Sequence, residues 1–265
     1  MREPSILAAC HQTGRAFIVA PHPDDEAVGA AVLMRRLRDE GVPVTLVFVT
    51  TGVPEASQID ASLSEAAGGV EDYKVTRAAE AARAAVLYRA QDVVRLSWPS
   101  RSILANMIAV DTVLDGLLAD RGKGVVLSPP FEGGHPDHDA LNCICSAVAL
   151  RQDLPFWEYV GYHWRDASLH CQAFFPPTMT DCWLDLSEEE VSLKRTALDL
   201  YASQKVHALK HMRADIEGFR RPANHTHTLP AEQAYYEVWG SGISAAEVRA
   251  ACERYDSIQR GRARR

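Results

Sequence analysis

A chain of 265 residues with 47% hydrophobic and 24% charged side chains can bury a large core, and its balance excludes a disordered or fibrous protein. The formal net charge of −7, with His neutral, argues against a nucleic-acid binder, which would carry a basic face. No apolar stretch nears the roughly 20 residues that span a bilayer and Met1–Gln12 has no signal-peptide pattern, so no membrane association is expected and a cytoplasmic location is.

In chain order, the first expected strand is Arg15–Ala20, a continuous apolar run of the kind buried on both faces. Glu26–Glu40 follows with apolar residues at Val28, Ala31, Val32, Leu33 and Leu37, a helical spacing closed by Gly41. Val44–Val49 is a second strand, and strand, helix and strand in this order form a right-handed βαβ unit with a parallel pair. Thr51–Tyr73 is rich in Gly, Ser, Ala and acids and is expected as a long loop of the lid or substrate-binding kind. A helix over Thr76–Leu87, a strand at Asp92–Leu96, a helix over Ile103–Leu118, a strand at Gly124–Ser128 and a helix over Asp139–Leu150 continue the alternation. Beyond about residue 151 the pattern changes to strands at Phe156–Trp164 and Asp181–Leu186 and a helix over Glu188–Tyr201. The expectation is one α/β domain over 1–265 with a mostly parallel sheet, extended in its C-terminal third. The final QRGRARR is expected as a solvated tail.

The six cysteines include no C-x-x-C pair and are expected as reduced, mostly buried thiols; Cys143 and Cys145 are spaced too tightly for a structural zinc pair.

Two stretches carry chemistry. His22-Pro-Asp-Asp25 stands directly after the first strand, and His135-Pro-Asp-His138 follows the fourth strand and the loop Pro129–Gly134. Ligands of open parallel sheets bind beyond the carboxyl ends of the strands, so both motifs should emerge on one edge. Proline holds each preceding histidine in an extended conformation and itself suits the first helical turn, which aims the residue three places on toward the same point. His22, Asp25 and His138 then make a set of two histidines and one carboxylate that leaves positions open for water or substrate, the layout of catalytic zinc. Asp24 is left over as a base for water, and His135 as a donor to a developing oxyanion. Acids in a first helical turn also complement the helix dipole, and Glu26 is assigned to that role alone.

PHPDDE followed by a helix, with a later GGHPDHDA, resembles the LmbE-like, or PIG-L, family of metal-dependent deacetylases. Arg77-Ala-Ala-Glu80 resembles that family's R-x-x-E helix, and KRTALDLYASQ at Lys194–Gln204 its K…Y-x-S-Q helix; Arg221-Pro-Ala223 and Tyr236-Glu-Val-Trp239 resemble a bacterial subgroup. The resemblance implies a Rossmann-like three-layer fold and hydrolysis of an N-acyl group from an N-acetylated amino sugar or its conjugate. It implies His22, Asp25 and His138 as ligands to Zn²⁺ (or another divalent ion such as Fe²⁺), Asp24 as general base and His135 as helper of the tetrahedral intermediate. Arg77 would be a substrate contact, with an i,i+3 pair to Glu80 as its structural alternative.

Two departures bear on the substrate. Some members carry a tyrosine where this chain has Gly133, so its oxyanion role is absent or supplied from elsewhere. Members also often have an acid after the third strand, where this chain has Ser97-Trp-Pro-Ser100. Trp98 is a candidate for stacking on a sugar and His163 for facing the site, each against a packing role. His207 and His211, and His225 and His227, are weaker candidates. The rival readings are an amidase for a non-sugar or thiol-conjugate amide, a non-haem iron oxygenase with the same donor set, and a module that keeps the metal without catalysis. The expected partner is a small N-acetyl amino sugar rather than nucleic acid or membrane, and a homo-oligomer is compatible with the sequence.

Overall fold

Strands without a polar face are stable only between layers of helices, and the apolar runs accordingly form the centre of a seven-stranded sheet. The computed structural model describes residues 5–59, 68–205, 208–222 and 233–263. Strands β1 (Ala16–Ala20), β2 (Val44–Pro54), β3 (Asp92–Ser100), β4 (Val125–Ser128) and β5 (Phe156–Tyr159) run parallel in the order β3-β2-β1-β4-β5. Two short antiparallel strands, β9 (Gly218–Arg220) and β8 (Cys182–Trp183), extend the sheet beyond β5. In register, Ile18 of β1 lies between Leu46 and Leu127.

Alternation along β1 divides the core. Ala16, Ile18 and Ala20 face α1 (Ile6–Thr13), α2 (Asp25–Gly29), α3 (Ala31–Asp39), α4 (Val70–Leu87) and α7 (Glu188–Leu200). Phe17 and Val19 face the layer of α5 (Met107–Arg121), α6 (Pro136–Arg151) and α9 (Ala245–Ala263), with the single turn α8 (Tyr235–Val238) beside them. The expected α/β three-layer architecture with a mostly parallel sheet is present.

Several boundaries differ from the sequence reading. The helix expected over Glu26–Glu40 is two helices, broken at Ala30, whose φ is −146°. The break has two distant causes. A Cβ on Gly29 would overlap the ring of Tyr159 from β5, and the new N-terminus at α3 is capped by Glu217, whose carboxylate accepts from Val32 N (2.8 Å) and Leu33 N (3.0 Å). Lys194 completes this arrangement, fully buried, donating to Val28 O (2.7 Å) and Glu217 Oε1 (3.2 Å). Because Tyr159 is pinned by its own hydroxyl to Val19 O (3.1 Å), it has no room to yield. Gly29→Ala is therefore expected to destabilise the fold by about 1–3 kcal/mol, measured as a lowered denaturant midpoint with unchanged m-value.

The long loop is shorter than expected, since β2 runs on to Pro54 and α4 starts at Val70; residues 60–67 of it lie outside the described residues. The strand expected over Phe156–Trp164 divides into β5 and β6 (Tyr162–Arg165), and β6 pairs with β7 (Ser168–Cys171) in a separate ribbon. Most of the basic tail belongs to α9, which reaches Ala263 because Val248, Cys252 and Tyr255 form a buried helical stripe. All six cysteines are free thiols, four of them buried. No helix among the described residues is long and apolar enough to cross a membrane.

Candidate metal centre and active site

The order of the sheet decides where its two motif loops meet. Strands β1 and β4 are neighbours, and from them the chain crosses to opposite sides, so the crevice beyond their carboxyl ends is the switch point of the fold. His22 leaves β1 there. Pro21 O is tied to β2 by Thr50 N (2.9 Å) and Thr50 Oγ1 (2.8 Å), which sets the direction of the turn. His135 arrives from β4 as the N-cap of α6, extended at φ −140°, ψ 140° as its proline neighbour requires.

The three imidazoles converge, with ligand-type atoms of His22, His135 and His138 all within 4.8 Å of one another. Asp25 joins them, its Oδ2 3.1 Å from His22 Nδ1 and its Oδ1 3.1 Å from His138 Nε2. His22 Nε2 is held at 3.0 Å by Asp137 Oδ2, and Asp137, fully buried, also accepts from the backbone of Arg101 and from Ile103 N. Burial alone would lower the pKa of His22, but its hydrogen bonds to Asp137 and Asp25 outweigh that and push it up to about 10. Burial likewise opposes ionisation of Asp25, yet His138 and His22 hold its carboxyl below the usual range.

A divalent cation fits these donors. Buried His138 Nε2 makes no hydrogen bond although a carboxylate oxygen stands beside it, and His22 Nδ1 faces the same carboxylate. Positive charge is what this cluster is arranged to receive. His135 differs from the other two rings. Its Nδ1 accepts from Asp137 N (3.1 Å), so the neutral ring carries its proton on Nε2 and can donate from there. Burial and the neighbouring His22 and His138 keep that ring neutral by depressing its pKa.

Asp24 sits at φ 133°, ψ −28°, a backbone region that costs a non-glycine residue about 1–3 kcal/mol and is tolerated where neighbours dictate it. The neighbours here are specific. Glu26 Oε2 accepts from Asp24 N (3.0 Å), and Arg77 donates to Pro23 O and to Asp24 Oδ2 (3.2 Å). Glu26 is fully buried and also accepts from the hydroxyls of Tyr201 and Tyr88, so it braces the turn from behind rather than serving the helix start alone. Burial pushes the Asp24 carboxyl up to about 6, with Arg77 pulling the other way. Arg77 pairs with Glu80 (3.3 Å), which in turn binds Ser203 N (2.9 Å) and Oγ (2.7 Å). The R-x-x-E and Y-x-S-Q segments thus form one scaffold under Pro23 and Asp24. Arg77 also lines the cavity, where its buried Nε has no partner.

The cavity measures about 500 Å³ and is lined at its inner end by His22, Asp24, Asp25 and His135, with His138 just behind them. Trp98 and His163 are not among its lining residues. β3 runs four residues past the expected end at Leu96, so Trp98 stays within the strand and packs on the core under α5. Arg101, beyond the strand end, reaches the cavity instead. His163 lies on the far side of β6, 3.6 Å from Glu132 and stacked on His170, while its neighbour Tyr162 enters the cavity edge-on to His138. Gly133, the place of the absent tyrosine, has φ +77°, a left-handed conformation that L side chains rarely adopt, and at the next position a Cβ on Gly134 would overlap Tyr162 O. His211 is exposed at the cavity wall; His207, His225 and His227 lie outside the described residues.

Sequence reasoning missed Glu26, Asp137, Tyr162, Arg101 and Trp239. Asp137 had a signal, as the aspartate shared by the two His-Pro-Asp turns, and Glu26 and Trp239 lay within the stretches PHPDDE and Tyr236-Glu-Val-Trp239 that carry the family resemblance.

Residues 17–149 match the family model described as PIG-L: GlcNAc-PI de-N-acetylase. A curated relative, the 1D-myo-inositol 2-acetamido-2-deoxy-alpha-D-glucopyranoside deacetylase of Nocardia farcinica (strain IFM 10152), is 27% identical over 206 residues, which cover 71% of this chain. The match spans only 65% of that relative's own length. Among solved structures, a deacetylase in complex with teicoplanin superposes with a TM-score of 0.62 at 15% identity, over 79% of this chain and all of that one. The N,N'-diacetylchitobiose deacetylase of Pyrococcus horikoshii superposes with a TM-score of 0.59 at 20% identity, covering 82% and 87% of the two chains. At such identities these likenesses concern the fold.

Proposed function

The chain belongs to the PIG-L family, GlcNAc-PI de-N-acetylase, and from that premise we propose that it removes the acetyl group from an N-acetylated amino sugar or amino-sugar conjugate with the help of a divalent metal ion. The observation that carries the reading is the meeting of a cation-ready donor set, a strained carboxylate and a neutral imidazole at the inner end of one cavity. In this reading residues 1–265 act as one domain, the part beyond about 151 supplying the outer cavity wall, and the protein works in the cytoplasm.

His22, Asp25 and His138 are assigned as the metal-holding residues. The ion, taken as Zn²⁺ with Fe²⁺ as the alternative, would polarise the amide carbonyl and make water acidic enough to attack near neutral pH. Asp137 fixes the His22 ring by holding its Nε2, leaving Nδ1 turned toward Asp25. Asp24 takes the proton of the attacking water on its carboxylate and passes it to the departing amine nitrogen. His135 donates from Nε2–H to the carbonyl oxygen as negative charge gathers there. Arg77 and Glu26 keep Asp24 in its unusual backbone conformation, so that the base is positioned before substrate arrives.

Tyr162 is assigned as a second donor, through its hydroxyl, on the wall facing these groups. Tyr162→Phe is expected to lower kcat by about tenfold with little change in KM, the effect of one lost hydrogen bond made in the transition state. Steady-state kinetics of purified variant and parent decide it. The function as a whole is tested by screening N-acetyl sugars, their conjugates and non-sugar amides for free amine, with metal analysis of the same sample. Release from non-sugar amides alone would transfer the reading to the amidase alternative.

A further inference from the structure

We propose that the outer part of the cavity holds an anion subsite built on Arg101 and Lys210, so that the amino sugar accepted there carries a phosphate or carboxylate group. The location of the sugar rests on the deacetylase reading, the anion subsite on the residues themselves.

Charge is segregated along the cavity. Among the described residues, the acidic ones that line it are Asp24 and Asp25, both at the metal end. Of its basic lining residues, Arg77 is committed to Asp24 and Glu80, whereas Arg101 and Lys210 meet no carboxylate within ion-pair distance among the described residues.

Arg101 is built in, not a loose surface side chain. It sits at φ +67° in the turn after β3, and its backbone N–H is given to Asp137, the residue that holds His22. Its guanidinium lies 4.9 Å over the Trp239 ring, and Nη1 donates to Gln58 O at 3.0 Å. Burial disfavours its charge, with Asp137 pulling more weakly the other way, and a bound anion would offset that cost. A planar fork held on an aromatic face is suited to the paired oxygens of phosphate or carboxylate. Trp239 in turn stacks on His135 at 5.8 Å and 24°. The guanidinium is therefore one indole removed from His135, which places the anion on the acetylated sugar or its immediate neighbour. Lys210, exposed in the turn Ala208–His211, adds a second, movable charge at the same cavity.

The test compares metal-loaded protein on N-acetylglucosamine 1-phosphate, N-acetylglucosamine 6-phosphate and N-acetylmuramic acid with neutral N-acetylglucosamine and its methyl glycoside. Amine release and calorimetric binding are read in parallel, for the parent, Arg101→Gln, Lys210→Gln and the double variant. The expected result is a preference of about tenfold or more in kcat/KM for an anionic sugar, shrinking in each single variant and lost in the double one. The phosphate and carboxylate arms tell which anion is read. A parent with no preference overturns the subsite, as does a preference that survives in the double variant, since the anion would then be held by the metal. If no sugar releases amine, the deacetylase reading fails, and the binding ratio alone decides the subsite by the same criterion.

Discussion

Asparagine in place of Asp24 is expected to lower amine release by about 10³-fold while leaving the metal content unchanged. The substitution is close to isosteric, and asparagine tolerates unusual backbone regions better than most residues. Its amide oxygen can still accept from Arg77 Nη2, and its backbone N–H still reaches Glu26, so the turn has no reason to unfold. What disappears is, among the described residues, the one carboxylate at the inner cavity that is not shared with a histidine. The decisive measurement is single-turnover amine release together with metal quantification on the same preparation. Full activity with intact metal would remove Asp24 from the mechanism, whereas loss of metal as well would mean that Asp24 belongs to the ligand set.

Stripping the metal with a chelator is the second large effect. Activity is expected to fall by at least about 10²-fold, because the attacking water then lacks its activation. Stability is expected to fall too. Without a cation, Asp25 and Asp137 flank His22 and lean on its proton, and His138 Nε2 is left buried without a hydrogen bond. Binding an ion only in the native state stabilises it by about 4 kcal/mol at a thousandfold excess over Kd. A thermal melt with and without added Zn²⁺, Fe²⁺, Mn²⁺ and Mg²⁺ should therefore rank the ions by the rise in Tm, and activity should return in the same order. Unchanged turnover in protein proven metal-free would sink the metal reading altogether.

The motifs were legible because their information is local. A histidine before proline is extended, and a residue three places into the following helix turns back toward it, wherever the segment lies. Their meeting was also legible, since strand ends in a parallel sheet share one edge. What surrounds them was not. Glu26 reads as an ordinary first-turn acid until Tyr88 and Tyr201, 62 and 175 residues away, are seen to bind it. The broken helix at Ala30 depends on Glu217 and Tyr159, neither of which any window around Gly29 contains.

By itself, then, the sequence determined the α/β alternation, the paired His-Pro-Asp turns and the donor types at the metal end, because apolar periodicity and proline restriction act within a few residues. The tertiary structure alone decided which neighbours of those turns face the cavity. It chose Tyr162 over His163, because a strand presents alternate residues to opposite sides and packing selects the side. It chose Arg101 over Trp98, because pairing with β2 carries β3 on to Ser100 and moves the strand end past the tryptophan. It also separated the roles of three similar imidazoles: a backbone N–H fixes the proton of His135 on Nε2, while His22 and His138 turn toward Asp25.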